Sequence, residues 1–538
     1  MTGTRAVLGI DAGTTSVKTV VLALDGQILG TSSSTVRIRH PRPEQAEQDM
    51  DEVWSAVAAT ITASCQEAGD VELVGVAVTG QGDGAWLIDA QGRPAGPALL
   101  WLDGRAAHRV ADWEGDGRGA LVRQVTGSAL FPGALPVLLE EIEARDPAVL
   151  QQATTHLNCK DWIRFQLTGV RATDPSDASR TYLDVSRGQY SEALITGLGH
   201  ERFRRLLPPL LAPAAIAGYV TTQAAKRTGL PVGLPVATGM VDTPAGGVGL
   251  GVTRPGQAYA ILGTTAFVGK VRRGMAAPRA LPVFTVALGE SDYVVECLVP
   301  MNGTPNLDWA RTVTRLDTLE WEEVERLVEA QPAGAGGVLY LPYASVSGER
   351  APFVDTNASA SWLNLSVRTS AGEMLRAVYE GIALSMRECM DALGVASTEP
   401  VRLCGGGARS ALVCQILADV TGRSVERSTF TELGVRGVAA LALVATGHAE
   451  DLRAALGSFG DTTRRFDPNI EVRALHDSQA AVFTAVRDAI RSQWAPMRDL
   501  RMASYDGYRA RAHSDNTVVL ARPSLPDHRA EPTRTEHT

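Results

Sequence analysis

The sequence predicts an α/β protein of two domains with a cleft between them. Strand-like and helix-like segments alternate through the first third of the chain, an order typical of a sheet covered by helices. The chain has 538 residues, more than one domain usually contains. A Gly-Thr-Thr turn between two strand-like runs occurs at residues 13–15 and again at 263–265. This repetition indicates an internal duplication, in which two related domains offer hairpins to one ligand from opposite sides.

The opening turn, residues 11–15, joins an apolar run at 7–10 to alternating residues at 17–23. No helical period follows Thr15, which disfavours a P-loop or a dinucleotide-binding loop, because both place their glycines before a helix. Two interpretations remain. The turn is an ordinary tight hairpin, or its free N–H groups and hydroxyls bind a phosphate while a hydrated cation lies near Asp11.

Hydrophobic periodicity predicts the other elements. Helices are expected over residues 51–68, 134–144, 160–167, 370–393 and 432–447, and strands over 74–78, 85–89 and 236–238. Residues 258–271 read as strand, turn and strand, and residues 401–422 as strand, glycine loop and helix. From about Met502 the chain lacks apolar periodicity and is rich in Arg, Pro, His, Ser and Thr, which predicts a loose tail.

Composition narrows the class of partner. The net charge is −9 and no basic stretch occurs, which argues against nucleic acid or an anionic membrane and in favour of a small molecule. The six cysteines form no C-x-x-C pair, so neither a zinc site nor a disulfide framework is expected. No apolar run reaches the ~20 residues of a membrane span, and the first strand begins too early for a signal peptide. A cytoplasmic location is the default expectation.

Five motifs follow one another in the order typical of a known family. They are the Asp11 hairpin, Gly80-Gln81, "GMVDTPAGG" at 239–247, "LGTTAF" at 262–267 and "GGGARSALVCQILADVTG" at 405–422. Together they resemble the FGGY carbohydrate kinases, members of the two-domain ATPase superfamily of hexokinase, actin and the heat-shock chaperones. The resemblance implies two ribonuclease H-like domains: residues 1–250 bind the sugar and carry the catalytic base, and residues 251–500 bind the nucleotide. Residues 501–538 would form a flexible tail.

The resemblance implies that Asp242 is the catalytic base, which takes the proton from the substrate hydroxyl. An aspartate after a strand and shortly before a proline is also a common helix N-cap, and this alternative stays open. Asp11 would hold Mg²⁺ through water. The phosphate and nucleotide contacts implied for ATP are Gly13, Thr14, Thr15, Gly263, Thr264, Thr265, Gly405, Gly406, Gly407 and Ala408. The last four would form an adenosine loop, although a glycine loop of this kind can also merely connect a strand to a helix.

Substrate choice is assigned to the segment "TGQGDGAWLID" at 79–89. Glycerol kinases carry Arg-Glu and xylulokinases Met-His where this chain has Gly82-Asp83, after Gln81. Asp83 suits a vicinal diol, and Gly82 is expected to leave room for an acceptor longer than glycerol. The resemblance also implies that Asp103 and Arg105 lie near the sugar, the alternative being a surface ion pair. Trp101 is expected to wall the pocket.

Three further stretches match family landmarks. The resemblance implies that "KDW" at 160–162 starts a helix, in which Asp161 is interpreted as structural, and that "TDPSDASRTYLDV" at 173–185 is a turn-rich strand pair flanking the sugar site. Within "LPYASVSGERAPF" at 341–353, Glu349 and Arg350 are interpreted as organising the interdomain region.

The resulting hypothesis is an ATP- and Mg²⁺-dependent kinase that phosphorylates a terminal hydroxyl of a small linear polyol or ketose. Erythritol is the first candidate substrate, since the stretch after Gln81 most resembles erythritol kinases, and L-xylulose or another pentulose is the second. A non-catalytic sugar sensor on the same fold is the rival from another class. A chaperone-like ATPase is disfavoured because no peptide-binding domain follows. The resemblance also implies a homodimer.

Overall fold

A computed structural model describes residues 3–276, 281–289, 292–460 and 463–514. The strands of the first half are β1 Thr4–Ala12, β2 Ser16–Ala23, β3 Ile28–Thr35, β4 Glu47–Gln48, β5 Val71–Gly80, β6 Trp86–Ile88, β7 Ala98–Leu99, β8 Thr155–Leu157, β9 Leu183–Asp184, β10 Gln189–Tyr190, β11 Ile216–Tyr219 and β12 Pro235–Ala237. Its helices are α1 Met50–Ala68, α2 Ala107–Asp116, α3 Arg118–Thr126, α4 Leu135–Arg145, α5 Pro147–Gln152, α6 Cys159–Thr168, α7 Pro175–Ala178, α8 Glu192–Gly197, α9 Thr222–Thr228 and α10 Asp242–Gly249, with a 3₁₀ helix at Glu201–Leu206.

The second half continues the alternation. Its strands are β13 Ala258–Leu262, β14 Ala266–Arg273, β15 Phe284–Ala287, β16 Tyr293–Leu298, β17 Leu339–Leu341, β18 Ser361–Leu363, β19 Val401–Cys404, β20 Val425–Ser428 and β21 Thr463–Phe466. Its helices are α11 Pro305–Val313, α12 Trp321–Glu329, α13 Ala371–Ala392, α14 Ala411–Thr421, α15 Leu433–Ala445, α16 Leu452–Ser458, α17 Arg473–Arg491 and α18 Trp494–Ser514, with 3₁₀ helices at Ala335–Gly337, Gly406–Arg409 and Ile470–Val472.

The main sheets of the two halves have equivalent topology. The first has the strand order β11-β12-β5-β1-β2-β3, in which β1 runs antiparallel to β2 and parallel to β5, and β5 runs parallel to β12. The second contains the order β21-β20-β19-β13-β14-β16, with the same antiparallel and parallel relationships, and adds β15 at its edge. The internal duplication predicted from the two Gly-Thr-Thr turns is therefore present in the sheet topology.

Helix α1 illustrates how the sequence builds one layer of this fold. Asp49 caps it by accepting hydrogen bonds from the backbone N–H groups of Asp51 and Glu52. The helix then buries a face that includes Val57 and Ile61 in the apolar core of the first sheet. The helix predicted over residues 51–68 is confirmed, as are the other helices and strands predicted from periodicity, to within a few residues at their ends.

Helices α10 and α15 cross at very close range and join the two halves. An added Cβ at Gly437 would lie 2.1 Å from the carbonyl O of Ala245, and one at Gly249 would lie 1.9 Å from the carbonyl O of Leu433. Glycine at both positions allows the backbones to touch. Although α15 belongs to the second half of the chain, its apolar residues share a core cluster with the first sheet, so the sheet bearing β1 rests on a helix from the other half.

The C-terminal segment differs from the prediction. Helix α18 begins at Trp494, whose ring stacks on Phe353 at a centroid distance of 5.9 Å. The helix continues to Ser514, so the expected loose tail is wrong as far as that residue. Once an anchored turn exists, each added residue contributes a backbone hydrogen bond without a new nucleation cost. Residues 515–538 of the predicted tail lie outside the described residues.

Candidate active site

The predicted site residues follow the carboxyl ends of parallel strands. Asp11 is next to the end of β1, Gln81 follows β5 and Asp242 follows β12 in the first half. In the second half, Gly263 follows β13 and Gly405 follows β19. Because parallel strands place these ends at one edge of each sheet, residues far apart in sequence come together there, where α/β proteins bind ligands.

The first hairpin tip, Gly13-Thr14-Thr15, is held from behind. The side chain of Gln48 donates to the carbonyl O of Thr14 at 2.8 Å, and the Trp101 Nε1–H donates to the Thr14 hydroxyl at 3.0 Å. Among the described residues, no hydrogen-bond partner is found for the backbone N–H groups of Thr14 and Thr15. The tip therefore offers donors for an anion, and Trp101 stands beside it with 41% of its surface exposed.

The second hairpin tip, Gly263-Thr264-Thr265, is supported by an adjacent loop. Thr304 donates to the carbonyl O of Gly263 from its backbone N–H at 2.7 Å and from its hydroxyl at 3.1 Å. An added Cβ at Gly303 would lie 2.2 Å from the carbonyl oxygens of residues 263 and 264, so this loop passes directly behind the tip. The exposed Thr264 side chain is left on the open side.

The glycine loop 405–408 borders the second hairpin. Gly405 has φ +94°, and an added Cβ there would lie 2.5 Å from the carbonyl O of Leu262. At Gly407 a Cβ would meet the Leu262 side chain at 2.7 Å, whereas at Gly406 it would meet nothing within 4 Å. Gly405 and Gly407 are thus required by packing, as expected of a loop that merely connects a strand to a helix. Gly406 leaves an open backbone surface.

Asp11 lies in a concentration of negative charge. Burial, Asp242 and Glu432 raise the pKa of Asp11 to about 7, in that order of effect, and Lys18 opposes them. Lys18 itself pairs with Glu432 through Nζ–Oε1 and Nζ–Oε2 contacts of 2.9 and 3.0 Å. An added Cβ at Gly434 would be 3.2 Å from Asp11 Oδ2, so the start of α15 reaches the end of β1.

Asp242 is the first residue of α10, and its side chain does not cap the helix. Val241 occupies the N-cap position, so the capping interpretation of Asp242 is wrong. The carboxylate is exposed to the cleft and accepts a hydrogen bond from the Thr243 hydroxyl at 3.0 Å. Surrounding protein displaces bulk water and raises the pKa of Asp242, against the lowering effects of Thr243 and Arg180.

The second half reaches Asp242 through Tyr259 on β13. The Tyr259 hydroxyl donates to the carbonyl O of Thr243 at 2.9 Å. The strand that ends in the second hairpin is therefore bonded to the residue that follows Asp242. This contact joins the first turn of α10 to the sheet of the second half.

The carboxylates of Asp11 and Asp242 suit a hydrated divalent cation. Asp242 raises the pKa of Asp11 electrostatically, and neither carboxylate has an ion-pair partner within 4 Å among the described residues. Two carboxylates close enough to interact favour the approach of a cation. The residues described contain no cluster of three or more His, Cys, Asp or Glu side chains arranged to hold a metal directly. Mg²⁺ held by Asp11 through water stays a prediction.

Gln81 and Gly82, which the sequence assigns to acceptor binding, contact Gln48 and Val241. Gln81 donates to Gln48 at 2.7 Å, which links it to the first hairpin through the Gln48–Thr14 bond. An added Cβ at Gly82 would lie 2.5 Å from Cγ2 of Val241. The expectation that Gly82 leaves extra room for a longer acceptor is therefore wrong, because the Val241 side chain occupies that space.

Asp83 has an ion-pair partner that the sequence reasoning missed. Arg180 contacts Asp83 through Nη2 and Oδ2, and the Asp83 side chain is buried. Arg180 lies in the stretch 173–185, which was identified as flanking the sugar site without this residue being singled out. An arginine in a stretch already assigned to the site was the available signal.

Asp103 and Arg105 form a buried structural network. The Asp103 carboxylate accepts from Ala46 N at 2.8 Å, from Arg105 N at 2.9 Å and from Arg105 Nε and Nη2 at 2.8 Å each. Arg105 also donates to Glu47 at 2.7 Å. The alternative of a surface ion pair is wrong because Asp103 is 1% exposed. Its role in sugar binding stays a prediction.

Glu349 lies within the second half. Its Oε1 accepts backbone N–H bonds from Met301, Arg350 and Ala351 at 2.8, 2.8 and 3.1 Å. Burial, opposed by these bonds, raises the pKa of Glu349 to about 7. The interpretation that Glu349 organises the interdomain region finds no support in these contacts, all of which lie in one half.

This architecture defines a class: two α/β halves with duplicated sheet topology, each with a Gly-Thr-Thr hairpin, and an acidic pair, Asp11 and Asp242, at the strand ends of the first half. Residues 6–249 match the FGGY family of carbohydrate kinases, N-terminal domain, and residues 258–446 match the C-terminal domain of the same family. The chain belongs to the FGGY family of carbohydrate kinases. The resemblance noted from the five motifs is confirmed.

Similar proteins agree with this assignment. The chain is 33% identical to the erythritol kinase of Brucella abortus (strain 2308), covering 82% of this chain and 87% of that protein. It is 31% identical to the xylulose kinase of Escherichia coli (strain K12), covering 83% and 91% respectively. Among solved structures, the xylulose kinase from Rhodospirillum rubrum has a TM-score of 0.82 at 26% identity, covering 91% of this chain and all of that one. The protein is thus an enzyme, a carbohydrate kinase. Among the residues that the structure describes, no helix is long and apolar enough to cross a membrane.

Proposed function

We propose that this kinase transfers the γ-phosphoryl group of ATP to a terminal hydroxyl of a small linear polyol or ketose. Erythritol is the first candidate acceptor, and L-xylulose or another pentulose is the second. The observation that carries the proposal is the pair of carboxylates, Asp11 and Asp242, which are close enough to interact electrostatically and have no ion-pair partners among the described residues. Phosphoryl transfer needs a cation site and a group that orients the attacking hydroxyl, and these two carboxylates suit the two roles.

The Brucella abortus relative is an erythritol kinase, which supports erythritol as the first candidate. The Escherichia coli relative is a xylulose kinase at nearly the same identity, which supports a pentulose as the second. The stretch after Gln81 most resembles that of erythritol kinases. The occupied space at Gly82 removes one argument for a longer acceptor, so acceptor length must be decided by assay.

Asp242 acts as the base. The acceptor hydroxyl binds within ~2.6–3.2 Å of its carboxylate and donates to it. Since the transition state of phosphoryl transfer is loose, Asp242 mainly orients this hydroxyl and receives its proton late. The exposed carboxylate is accessible to the acceptor, and the raised pKa of Asp242 improves it as a proton acceptor.

The two hairpins bind the phosphates. Backbone N–H groups and hydroxyls at 13–15 and 263–265 donate to phosphate oxygens from both halves, and the backbone at Gly406 leaves room for the nucleoside. Asp11 would hold Mg²⁺ through water, and the ion would supply positive charge that offsets the charge of the phosphates. Closing the two halves around the substrates excludes water, which is itself a competing nucleophile.

The test is a panel of C3 to C7 polyols and ketoses with ATP and Mg²⁺, with ADP release as the readout. We expect one or a few acceptors to stimulate release strongly, erythritol first among them. Asp242→Asn should lower turnover with that acceptor by about 10² to 10⁴ while ATP still binds. Asp499→Asn, at an exposed position on α18, is the matched control and should behave as wild type.

Each alternative has its own signature. Binding of a sugar without ADP release under any condition would indicate a sensor and contradict the proposal. Rapid ATP hydrolysis without an acceptor would indicate an ATPase. Near-normal turnover in Asp242→Asn would remove Asp242 from the role of base.

A further inference from the structure

Arg180 connects three parts of the site that are distant in sequence. It pairs with Asp83 beside the predicted sugar position. Its guanidinium carbon lies 4.9 Å from the ring centroid of Phe131 and 4.8 Å from that of Phe284. It is also close enough to Asp242 to lower the pKa of that residue. No other residue described here links the sugar end, the base and the second half in this way.

The two aromatic rings come from different halves of the chain. Phe131 precedes α4 in the first half, whereas Phe284 begins β15 in the second. Their rings meet edge to face at a centroid distance of 6.1 Å. A guanidinium between them gains cation–π attraction from both and is shielded from water. Burial accordingly lowers the pKa of Arg180 to about 10, so the side chain stays charged at neutral pH.

Strand β15 is hydrogen-bonded to the first half at two residues that follow Phe284. The Thr285 N–H donates to the Ser128 hydroxyl at 3.0 Å, and the Ala287 N–H donates to the Ser179 hydroxyl at 2.8 Å. Ser179 is the chain neighbour of Arg180. The seating of β15 therefore determines whether Phe284 covers Arg180.

A guanidinium has five N–H donors in one plane, and Asp83 engages one edge of it. A carboxylate accepts hydrogen bonds and a guanidinium donates them, so the pair offers an acceptor and a donor side by side. A vicinal diol matches this arrangement: one hydroxyl donates to Asp83 and the oxygen of its neighbour accepts from Arg180. Arg180 remains 25% exposed in its side chain, which leaves an edge accessible to a ligand.

We propose that Arg180 determines acceptor binding in this kinase by donating to an acceptor oxygen next to the hydroxyl held by Asp83, and that Phe284 of the second half holds Arg180 in position. The inference rests on the proposed function, because it assumes a polyol or ketose at this site. It predicts that the acceptor binds tightly only when β15 is seated on the first half.

The experiment compares Arg180→Met, Asp83→Asn and their double variant, using the acceptor that the panel identifies. Arg180→Met should raise KM for the acceptor about 30-fold or more and leave KM for ATP within about twofold. The double variant should be no more than about threefold worse than the poorer single variant, since both disrupt one interaction. Phe284→Leu should raise KM for the acceptor by about 3- to 10-fold, again without affecting ATP.

Two further variants test whether a rise in KM reflects the loss of this interaction or a general loss of structure. Arg202→Met is the matched control, because Arg202 also lies over a phenylalanine in the first half, at 4.2 Å from the Phe203 ring centroid, and pairs with Glu143 at the surface. It should leave both KM values unchanged. Arg180→Lys keeps the charge and loses the planar donor fork, so it should retain the fold and fall between wild type and Arg180→Met in acceptor KM.

Acceptor binding is also followed by calorimetry without turnover, so that the two proposals fail separately. A sugar that binds without being phosphorylated overturns the proposed function and still measures the effect of Arg180→Met on affinity. An acceptor KM within threefold of wild type in Arg180→Met, or a parallel rise in the KM of acceptor and ATP, overturns the role of Arg180 alone.

Discussion

Gly437→Ala should push helices α10 and α15 apart and lower turnover by about 10²-fold. The added Cβ would lie 2.1 Å from the carbonyl O of Ala245, a backbone atom that cannot move away alone. Relief to a tolerable contact requires a shift of ~1 Å between the two helices. Helix α10 carries Asp242 in its first turn, and a displacement of ~1 Å at a reacting group costs about 10²-fold in rate.

The same substitution also changes the free energy of unfolding. Alanine is favoured over glycine inside a helix by ~1 kcal/mol, whereas overpacking costs ~1–3 kcal/mol. We therefore expect Gly437→Ala to unfold more easily than wild type by up to ~2 kcal/mol, a small effect beside the loss of turnover. A protein that stays folded but turns over slowly is the expected phenotype.

Gly246→Ala is the matched control on α10, since an added Cβ there meets nothing within 4 Å. It should keep wild-type turnover and gain up to ~1 kcal/mol in stability. The assay is kcat at saturating ATP and acceptor, with unfolding followed by denaturant titration of the same preparations. If Gly437→Ala keeps more than half of the wild-type kcat, or if Gly246→Ala loses as much, close approach of the helices does not position Asp242.

Three further predictions concern other parts of the site. Gly82→Ala should lower turnover about 10-fold because its Cβ would meet Val241 at 2.5 Å, and adding Val241→Ala should restore most of it in the same steady-state assay. Glu349→Gln should abolish a pH dependence of the free energy of unfolding. The pKa of Glu349 is about 7 in the folded state and ordinarily 4.5, so the folded state binds more protons between these pH values. The stability of the wild type should therefore fall by ~3 kcal/mol relative to the variant as pH rises from 4.5 to 7. Denaturant titrations of both proteins at pH 5 and pH 8 measure this, and a constant difference would contradict it. Asp11→Asn should raise the Mg²⁺ concentration for half-maximal turnover about 10-fold or more, measured by Mg²⁺ titration, and an unchanged requirement would remove Asp11 from the metal site.

Much of the fold was predictable because it depends on local patterns. The hairpins at 13–15 and 263–265 were visible as turns between alternating residues, and their repetition indicated a duplication that the two sheets confirm. The helix that opens at Met50 was visible in its apolar period. In α18 the same reasoning failed, because that helix is anchored through Trp494 and continues into a segment without apolar periodicity.

The sequence indicated which residues form the candidate site better than it indicated how they are arranged. Asp11 and Asp242 follow strands with recognisable motifs, and the structure brings them into each other's electrostatic field. The space at Gly82 was misjudged, since the side chain that fills it, Val241, is some 160 residues away in sequence. Residues that are close in space but distant in sequence cannot be identified from a local sequence pattern.

Short-range spacing and residue type were enough to predict the strands and helices along the chain, the duplicated hairpins and the kinase family. Which charges meet follows from packing in three dimensions. Lys18 pairs with Glu432 across the halves and Arg180 pairs with Asp83, whereas Asp11 and Asp242 have no ion-pair partner among the described residues. Electrostatic and steric interactions depend on distance in space, and packing of the two halves brings together groups that the chain separates by hundreds of residues.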